Sequence, residues 1–302
     1  MATQTLLEAA KLIQDDLVVG VAEDIISVNP IMDVIPFDGF TGQSVTVNRE
    51  LALGDAAFYG VGDTITSKNA SSVTPVTFFP TSIIGDAEVN GLVQATSSSA
   101  NVDQMAVEIS SKAKSVSRQF QQAMVSGTGV APQFNGMTNL VDPVQIAAST
   151  AAGGAALVDD LDALLDLVLA KDGDVDFLMT TSKVIRLYRS YLRGLGGVSG
   201  EEVTLESGRK VTSFNGIPMF RNDFIPSNGG IGLNESEVFA GCFDDGTRKI
   251  GVAGIHPEGD AGIKVQMLGG KEQTDDELAR VKWYAGFASY NRRGLAKLTG
   301  VK

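Results

Sequence analysis

His256 is the only histidine in the chain and Cys242 the only cysteine. That scarcity removes multi-histidine metal sites, leaves little room for a histidine-based catalytic triad, and rules out an intrachain disulfide. His256 stands in the segment GIHPEGD, with Glu258 and Asp260 nearby. One imidazole beside loop carboxylates can titrate or hold a metal weakly. It is a poor metal signature, so His256 reads as structural or solvent-exposed. Cys242, within VFAGCFD, reads as a small buried hydrophobe in mid-strand.

Two acidic clusters invite a cation. Asp159, Asp160 and Asp162 are expected at a helix start, where carboxylates complement the backbone dipole without any metal. Asp172, Asp174 and Asp176 resemble the opening of a calcium loop but lack the rest of its twelve-residue pattern and the closing glutamate. The glycine runs at 127–129 and 229–232 lack the strand–turn–helix setting of a phosphate loop and read as turns. No nucleophile elbow of the form G-x-S-x-G is present. Arg186, Arg189 and Arg193 recur at helical spacing. They would suit phosphate contacts, yet with a formal net charge of −12 they read as a solvated face. No catalytic residue, no cofactor-binding residue and no metal ligand is assigned. The chain reads as a non-enzyme that needs no cofactor.

What remains is architecture. The 302 residues, 43% hydrophobic and 20% charged, make one large domain or two ordinary ones with a sizeable core. A free-standing nucleic-acid-binding domain normally has the opposite charge. The longest apolar run near the start, residues 17–22, is far short of the about 20 residues of a membrane span, and the first basic residue is Lys11. The expectation is a soluble protein made in a cytoplasm. Charge is lopsided: residues 1–40 hold seven acids and one base, and residues 280–302 hold six bases and no acid. Either both ends are solvated faces, or one end meets the opposite end of a neighbouring subunit through a salt-sensitive contact.

Leu6, Ala10, Ile13, Leu17, Val21 and Ile25 predict an amphipathic helix over 5–28, ended by Asn29-Pro30. Residues 40–95 show strand-like alternation at 44–48 and 73–79 and no helical period. Between Leu51 and Gly85 the only charged residues are Asp55, Asp63 and Lys68. A long connection usually has a function, and a lone two-stranded ribbon is marginal in water. This stretch therefore reads as a hairpin arm lying on another protein surface, in preference to a ragged sheet edge. Residues 102–126 predict a long helix, with Asn101 as N-cap and Gly127 as C-cap glycine. Residues 141–156 read as a loop, 157–168 as a second helix, 174–180 as a central strand, and 183–194 as a third helix capped by Thr181 or Ser182. Strands are predicted at 202–205, 210–214, 217–222, 236–243, 248–255, 262–268 and 279–290. Without a regular βαβ alternation the class is α+β.

This order of elements resembles the major capsid proteins of tailed phages with the Hong Kong 97 fold. Four segments carry the resemblance: QQAMVSGTGVAPQFNGM (121–137), DFLMTTSKVIRLYRSYLRG, FNGIPMFRNDFIP (214–226) and RVKWYAGFASYNRRGLAKLTGV (280–301). The resemblance implies an N-terminal arm over 1–40 and an extended hairpin loop over 41–95. It also implies a spine helix with the start of a peripheral domain over 96–140, and an axial domain with the remaining peripheral domain over 141–302. It implies a virion protein, assembled in the host cytoplasm, that associates with itself into hexamers and pentamers. Portal, scaffold and decoration proteins would be its partners, packaged double-stranded DNA would be held weakly and without sequence preference, and no membrane would be involved. A chain beginning at Met1 without a charged coiled-coil extension implies that no scaffolding segment is cleaved, or that the scaffold is separate. Lys68 is the only lysine in the arm, the position type from which some members cross-link to asparagine, though no matching asparagine or glutamate is identifiable. An encapsulin-like shell around a cargo enzyme is the alternative.

Overall fold

The computed structural model describes residues 29–98, 103–149, 155–196, 202–205, 208–225, 227–228 and 235–301. The helix expected over 5–28, the Asn101 cap and the glycine run at 229–232 lie outside the described residues.

After a 3-10 turn at Pro30–Asp33 come β1 (Phe37–Phe40), β2 (Val45–Ala52), β3 (Ser72–Phe78) and β4 (Thr81–Asn90). Helix α1 (Gly91–Ser98) leads to the long helix α2 (Gln104–Ser126). Its N-cap is Asp103, whose carboxylate accepts the Ala106 N–H at 3.2 Å and ties up one of the four free donors of the first turn. Gly127 ends the helix, its N–H bonded to the Ala123 carbonyl at 2.8 Å. A Cβ on Gly127 would lie 2.4 Å from the Phe134 carbonyl oxygen, so the chain can double back here only on glycine. Next come β5 (Ile146–Ala148), α3 (Ala155–Leu167), β6 (Phe177–Thr180) and α4 (Ser182–Gly194). Strands β7 (Glu202–Thr204), β8 (Lys210–Phe214), β9 (Ile217–Arg221), β10 (Ser227–Asn228) and β11 (Glu235–Gly241) follow. The chain closes with β12 (Val252–Pro257), β13 (Lys264–Gly270), β14 (Asp276–Ser289) and β15 (Leu295–Val301).

Two sheets carry the body. One runs β1-β12-β14-β13, with β4 also on β14; the other runs β5-β15-β11-β6-β9-β8-β7, with β10 on β11. The central strands of the second sheet are buried on both faces. Phe177, Met179, Phe220 and Phe239 turn toward α2 and the first sheet, while Leu178, Met219, Val238 and Ala240 turn toward α3 and α4. A strand covered on both sides needs apolar residues at every position, and β6, all four of whose residues are buried, reads that way. Leu157, Leu161 and Leu164 from α3 join Val184 and Tyr188 from α4 over that outer face.

The α+β class holds. Several local expectations change. Residues 141–149 are not simply loop: they contain the turn Pro143–Gln145 and β5, which pairs parallel with β15 from Ile146↔Lys297 to Ala148↔Thr299. Helix α1 begins inside the stretch 40–95 expected to lack helix and runs past its end. The expected strand at 248–255 begins later, at Val252, because Asp244 gathers the N–H groups of Gly246, Arg248 and Lys249 into a turn.

Candidate assembly interface

Strands β2 and β3 form a two-stranded sheet of their own, in antiparallel register from Val45↔Phe78 to Ala52↔Ser72. The root is anchored: Val45 and Phe78 are buried with Phe40, Ile255 and Tyr290, and Phe78 meets the Tyr290 ring edge-on at 6.1 Å. Val47 and Val76 still pack against this cluster, and farther out the large apolar side chains are exposed. Leu53 is 80% exposed, Ile65 60%, and Phe58 and Val61 as exposed as in a free chain at 107% and 111%. Large apolar groups displayed together on an otherwise sparsely charged ribbon mark an interaction surface.

The outer loop is nonetheless ordered by local polar bonds. Backbone N–H groups of Thr66 and Ser67 donate to the Tyr59 hydroxyl oxygen at 2.9 and 2.7 Å. The Ser67 and Thr66 hydroxyls and then those N–H groups lower the Tyr59 phenol to about 8. Asp63 accepts the Gly60 N–H at 2.6 Å, and the Asn69 amide donates to Asp55. Lys68 sits exposed on this loop.

Arg49 fastens ribbon to body. Its Nε donates to the Tyr290 carbonyl at 2.9 Å, another guanidinium N–H donates to the Ser289 carbonyl, and the group lies 5.9 Å from the Phe78 ring centre. Desolvation, then the nearby Arg292, pull its pKa below the ordinary arginine value. Arg49→Met should keep most of the apolar contact and lose both charge-assisted bonds, a cost of about 1.5–3 kcal/mol if the whole loss is felt in folding. Denaturant melts of the unassembled subunit give the stability change. A loss within that range would assign both carbonyl bonds a net role in holding the ribbon to the body, and no measurable loss would refute it.

Beside it, Arg292 Nε pairs with Asp142 at 2.6 Å, and this hydrogen bond above all holds the Asp142 carboxyl below the usual carboxylate range. A carboxylate with a depressed folded pKa adds stability above its unfolded pKa of about 4, and that stability disappears as pH falls through the lower folded value. Thermal melts between pH 6 and pH 3 should therefore fall less steeply with acid in Arg292→Met than in the parent. Parallel curves would refute the assignment.

The residues singled out for chemistry stay apart. His256, at the end of β12, has Nδ1 2.9 Å from the Pro257 carbonyl and its ring against Gly39, while Asp260 is taken by Lys264. Cys242 is fully buried with Sγ 3.6 Å from the Gly294 carbonyl, and burial pushes its thiol up to about 11. Helix α3 begins at Ala155, so Asp159, Asp160 and Asp162 fall past its first turn rather than at its start. Asp160 accepts the Ser149 hydroxyl at 2.5 Å and Asp162 the Asn215 amide at 3.1 Å. Asp176 accepts from Lys171 at 2.9 Å and from the Phe243 N–H at 2.8 Å, bracing the turn in which Lys171 and Asp172 have positive φ. Among the described residues no group of three or more His, Cys, Asp or Glu side chains could hold a metal. No described helix is long and apolar enough to cross a membrane.

Half of the C-terminal positive charge is neutralised within the chain. Three of the C-terminal cations already face carboxylates of their own subunit: Arg280 with Asp86 at 2.8 Å, Arg292 with Asp142 at 2.6 Å and Lys297 with Glu237 at 2.9 Å. They are committed within the fold, not held out for a neighbour. Another set of cations gathers on α4, where Arg186, Arg189 and Arg193 line one groove with Arg209, Lys210 and Arg221, of which only Arg221 is ion-paired among the described residues. Periodicity reveals the first three; the others come from strands that only the tertiary fold brings alongside.

Taken over its whole length, the chain has the α+β fold of Hong Kong 97-like capsid and encapsulin structures. Among solved structures, the encapsulin of the holo-SrpI complex from Synechococcus elongatus PCC 7942 matches with a TM-score of 0.73 at 17% identity, covering 100% of this chain and 97% of that one. The capsid chain of a native GTA particle matches with a TM-score of 0.70 at 12% identity, over 100% of both chains. The capsid of Myoviridae phage XM1 matches with a TM-score of 0.65 at 15% identity, over 97% of this chain and 98% of the other. No protein-family model and no curated protein matches the sequence.

Proposed function

We propose that this chain is the major capsid protein of a tailed bacteriophage, assembling into hexamers and pentamers that close an icosahedral shell around double-stranded DNA. The observation that carries this is the β2–β3 ribbon: it is anchored at its root, ordered along its loop and unburied along its apolar side chains. A ribbon of that kind gains its stability from a second copy. Many modest contacts per subunit, acting together, hold a shell without one tight interface, and head-to-tail contacts close into rings. Residues 1–40 then serve as arm, 41–95 as extended loop, 96–140 as spine helix and entry to the peripheral domain, and 141–302 as the axial and remaining peripheral parts. Assembly takes place in the host cytoplasm, with portal, scaffold and decoration proteins as partners, and the net charge of −12 keeps the packaged DNA weakly held.

The likeness to an encapsulin favours a second reading, a protein shell around a cargo enzyme. Electron microscopy of particles purified after nuclease treatment separates the two. Closed shells with protected DNA support the capsid, and shells with a co-purifying enzyme support the nanocompartment. A monodisperse monomer at high concentration would sink both.

A further inference from the structure

The groove beside α4, about 390 Å³ in volume, has a cationic rim and an apolar floor. Its rim holds Arg186, Arg189, Arg193, Arg209, Lys210 and Arg221, and no Asp or Glu is among its described lining residues. Arg189 is bonded to the Thr212 hydroxyl at 3.0 Å and Arg221 to Asp223 at 2.9 Å. Among the described residues Arg186, Arg193, Arg209 and Lys210 make no ion pair. The floor comes from Pro30, Ile185, Val211 and Met219. So concentrated a positive field, in a protein with a net charge of −12, calls for a counter-charge.

We propose that the acidic segment 1–28 of the same subunit seats in this groove. Three observations converge. The described chain starts at Asn29, and Pro30 itself lines the groove, so the segment leaves from the groove wall. Residues 1–28 contain Glu8, Asp15, Asp16, Glu23 and Asp24 against the single base Lys11. Their apolar positions recur at helical steps through Leu17, Val21 and Ile25, which matches a groove with an oily floor and a charged rim. Glu23 and Asp24 stand six or seven residues before Pro30, a reach of about 10 Å along a helix. Tethering raises the effective concentration to about the millimolar range, so modest contacts suffice. A groove of this volume, with its apolar floor, fits one side of a helix better than the backbone of a rigid duplex, which the overall charge also repels.

The test uses the full chain as unassembled subunits, so it stands whether or not the protein forms shells. Amide exchange over residues 15–28 should be protected at low salt and quicken roughly tenfold in the Arg186→Glu/Arg193→Glu variant. Both arginines are exposed, so the fold should survive. Glu23→Lys/Asp24→Lys should show the same loss, and combining the two pairs should restore protection to within about threefold of the parent. Carbodiimide should join Lys210 to Glu23 or Asp24 by an amide with loss of one water. In a mixture of light and heavy chains, those links should be within one isotope. Equal exchange in parent and variants overturns the proposal. So do links confined to mixed-isotope pairs, which would make the occupant a second copy. Duplex DNA that protects α4 while residues 15–28 exchange freely would make the groove a nucleic-acid site and likewise overturn it.

Discussion

Replacing residues 53–71 with an Asn-Gly turn should leave a folded subunit that forms no closed shells. The substitution joins Ala52 to Ser72, which already face each other in register, by the two-residue connection that antiparallel strands prefer. Everything removed lies outside the core: the deleted loop contributes none of the buried apolar residues, and the root contacts of Val45, Phe78 and Arg49 remain. Subunit melting should therefore move by no more than about 4 °C, the shift that accompanies roughly 1 kcal/mol in a chain of this size. What disappears is the exposed apolar set Leu53, Phe58, Val61 and Ile65. Buried fully against a neighbour, side chains of that kind are worth about 1.5–3 kcal/mol each, and a shell multiplies the loss over every subunit. Sedimentation and electron microscopy read the outcome. Closed particles at normal yield would show that the loop is dispensable and remove the main support for the capsid reading.

Why was the ribbon legible from sequence while other parts were not? Its signal was negative. Only Asp55, Asp63 and Lys68 interrupt residues 51–85, and nothing there supplies the apolar period that would fold the stretch onto its own body. Helix α2 was legible for the opposite reason, since Val116, Phe120, Ala123 and Met124 recur on one face and are buried there. Its cap was misread by two positions because Asn101 and Asp103 are equally good residues for the role. Strand β5 was hidden, because it is only three residues long, two of them alanines of low strand propensity, and it owes its place to the partner β15. β15 itself was absorbed into the closing strand and tail, yet its place in the second sheet between β5 and β11 depends on pairings with residues about 60 positions and about 150 positions away.

Which charges are paired within the chain was not legible in the sequence. Counting bases over 280–302 finds six, but a count cannot show that Asp86, Asp142 and Glu237 lie across from three of them. Conversely, Arg209, Lys210 and Arg221 look unremarkable in sequence and join the α4 arginines only because β8 and β9 pair beside that helix. Lone charges in a sequence are ambiguous until the fold decides which are neutralised. That distinction moves the expected electrostatic contact from the C-terminal end to the α4 groove.

Phe120→Ala should be the most damaging single substitution to the subunit itself, costing about 3–5 kcal/mol. Phe120 is fully buried, and its ring centre lies 4.5 Å from Trp283, 5.6 Å from Phe134 and 5.8 Å from Phe37. Those partners come from β14, from the turn after α2 and from β1, so one side chain ties the long helix to three other parts of the fold. Truncation leaves a cavity that the surrounding rings cannot fill without leaving their rotamers, and rigid aromatic walls relax poorly. Set against a typical total of about 5–15 kcal/mol, this loss removes a large fraction of the stability of the folded subunit. Phe120→Leu retains part of the volume and should cost clearly less, which separates a cavity effect from a general intolerance of change. Urea melts of both variants at matched slope decide the matter. A midpoint shift under about 1 kcal/mol for Phe120→Ala would mean that α2 is held to the sheets by its other buried residues, Val116 and Met124 first among them.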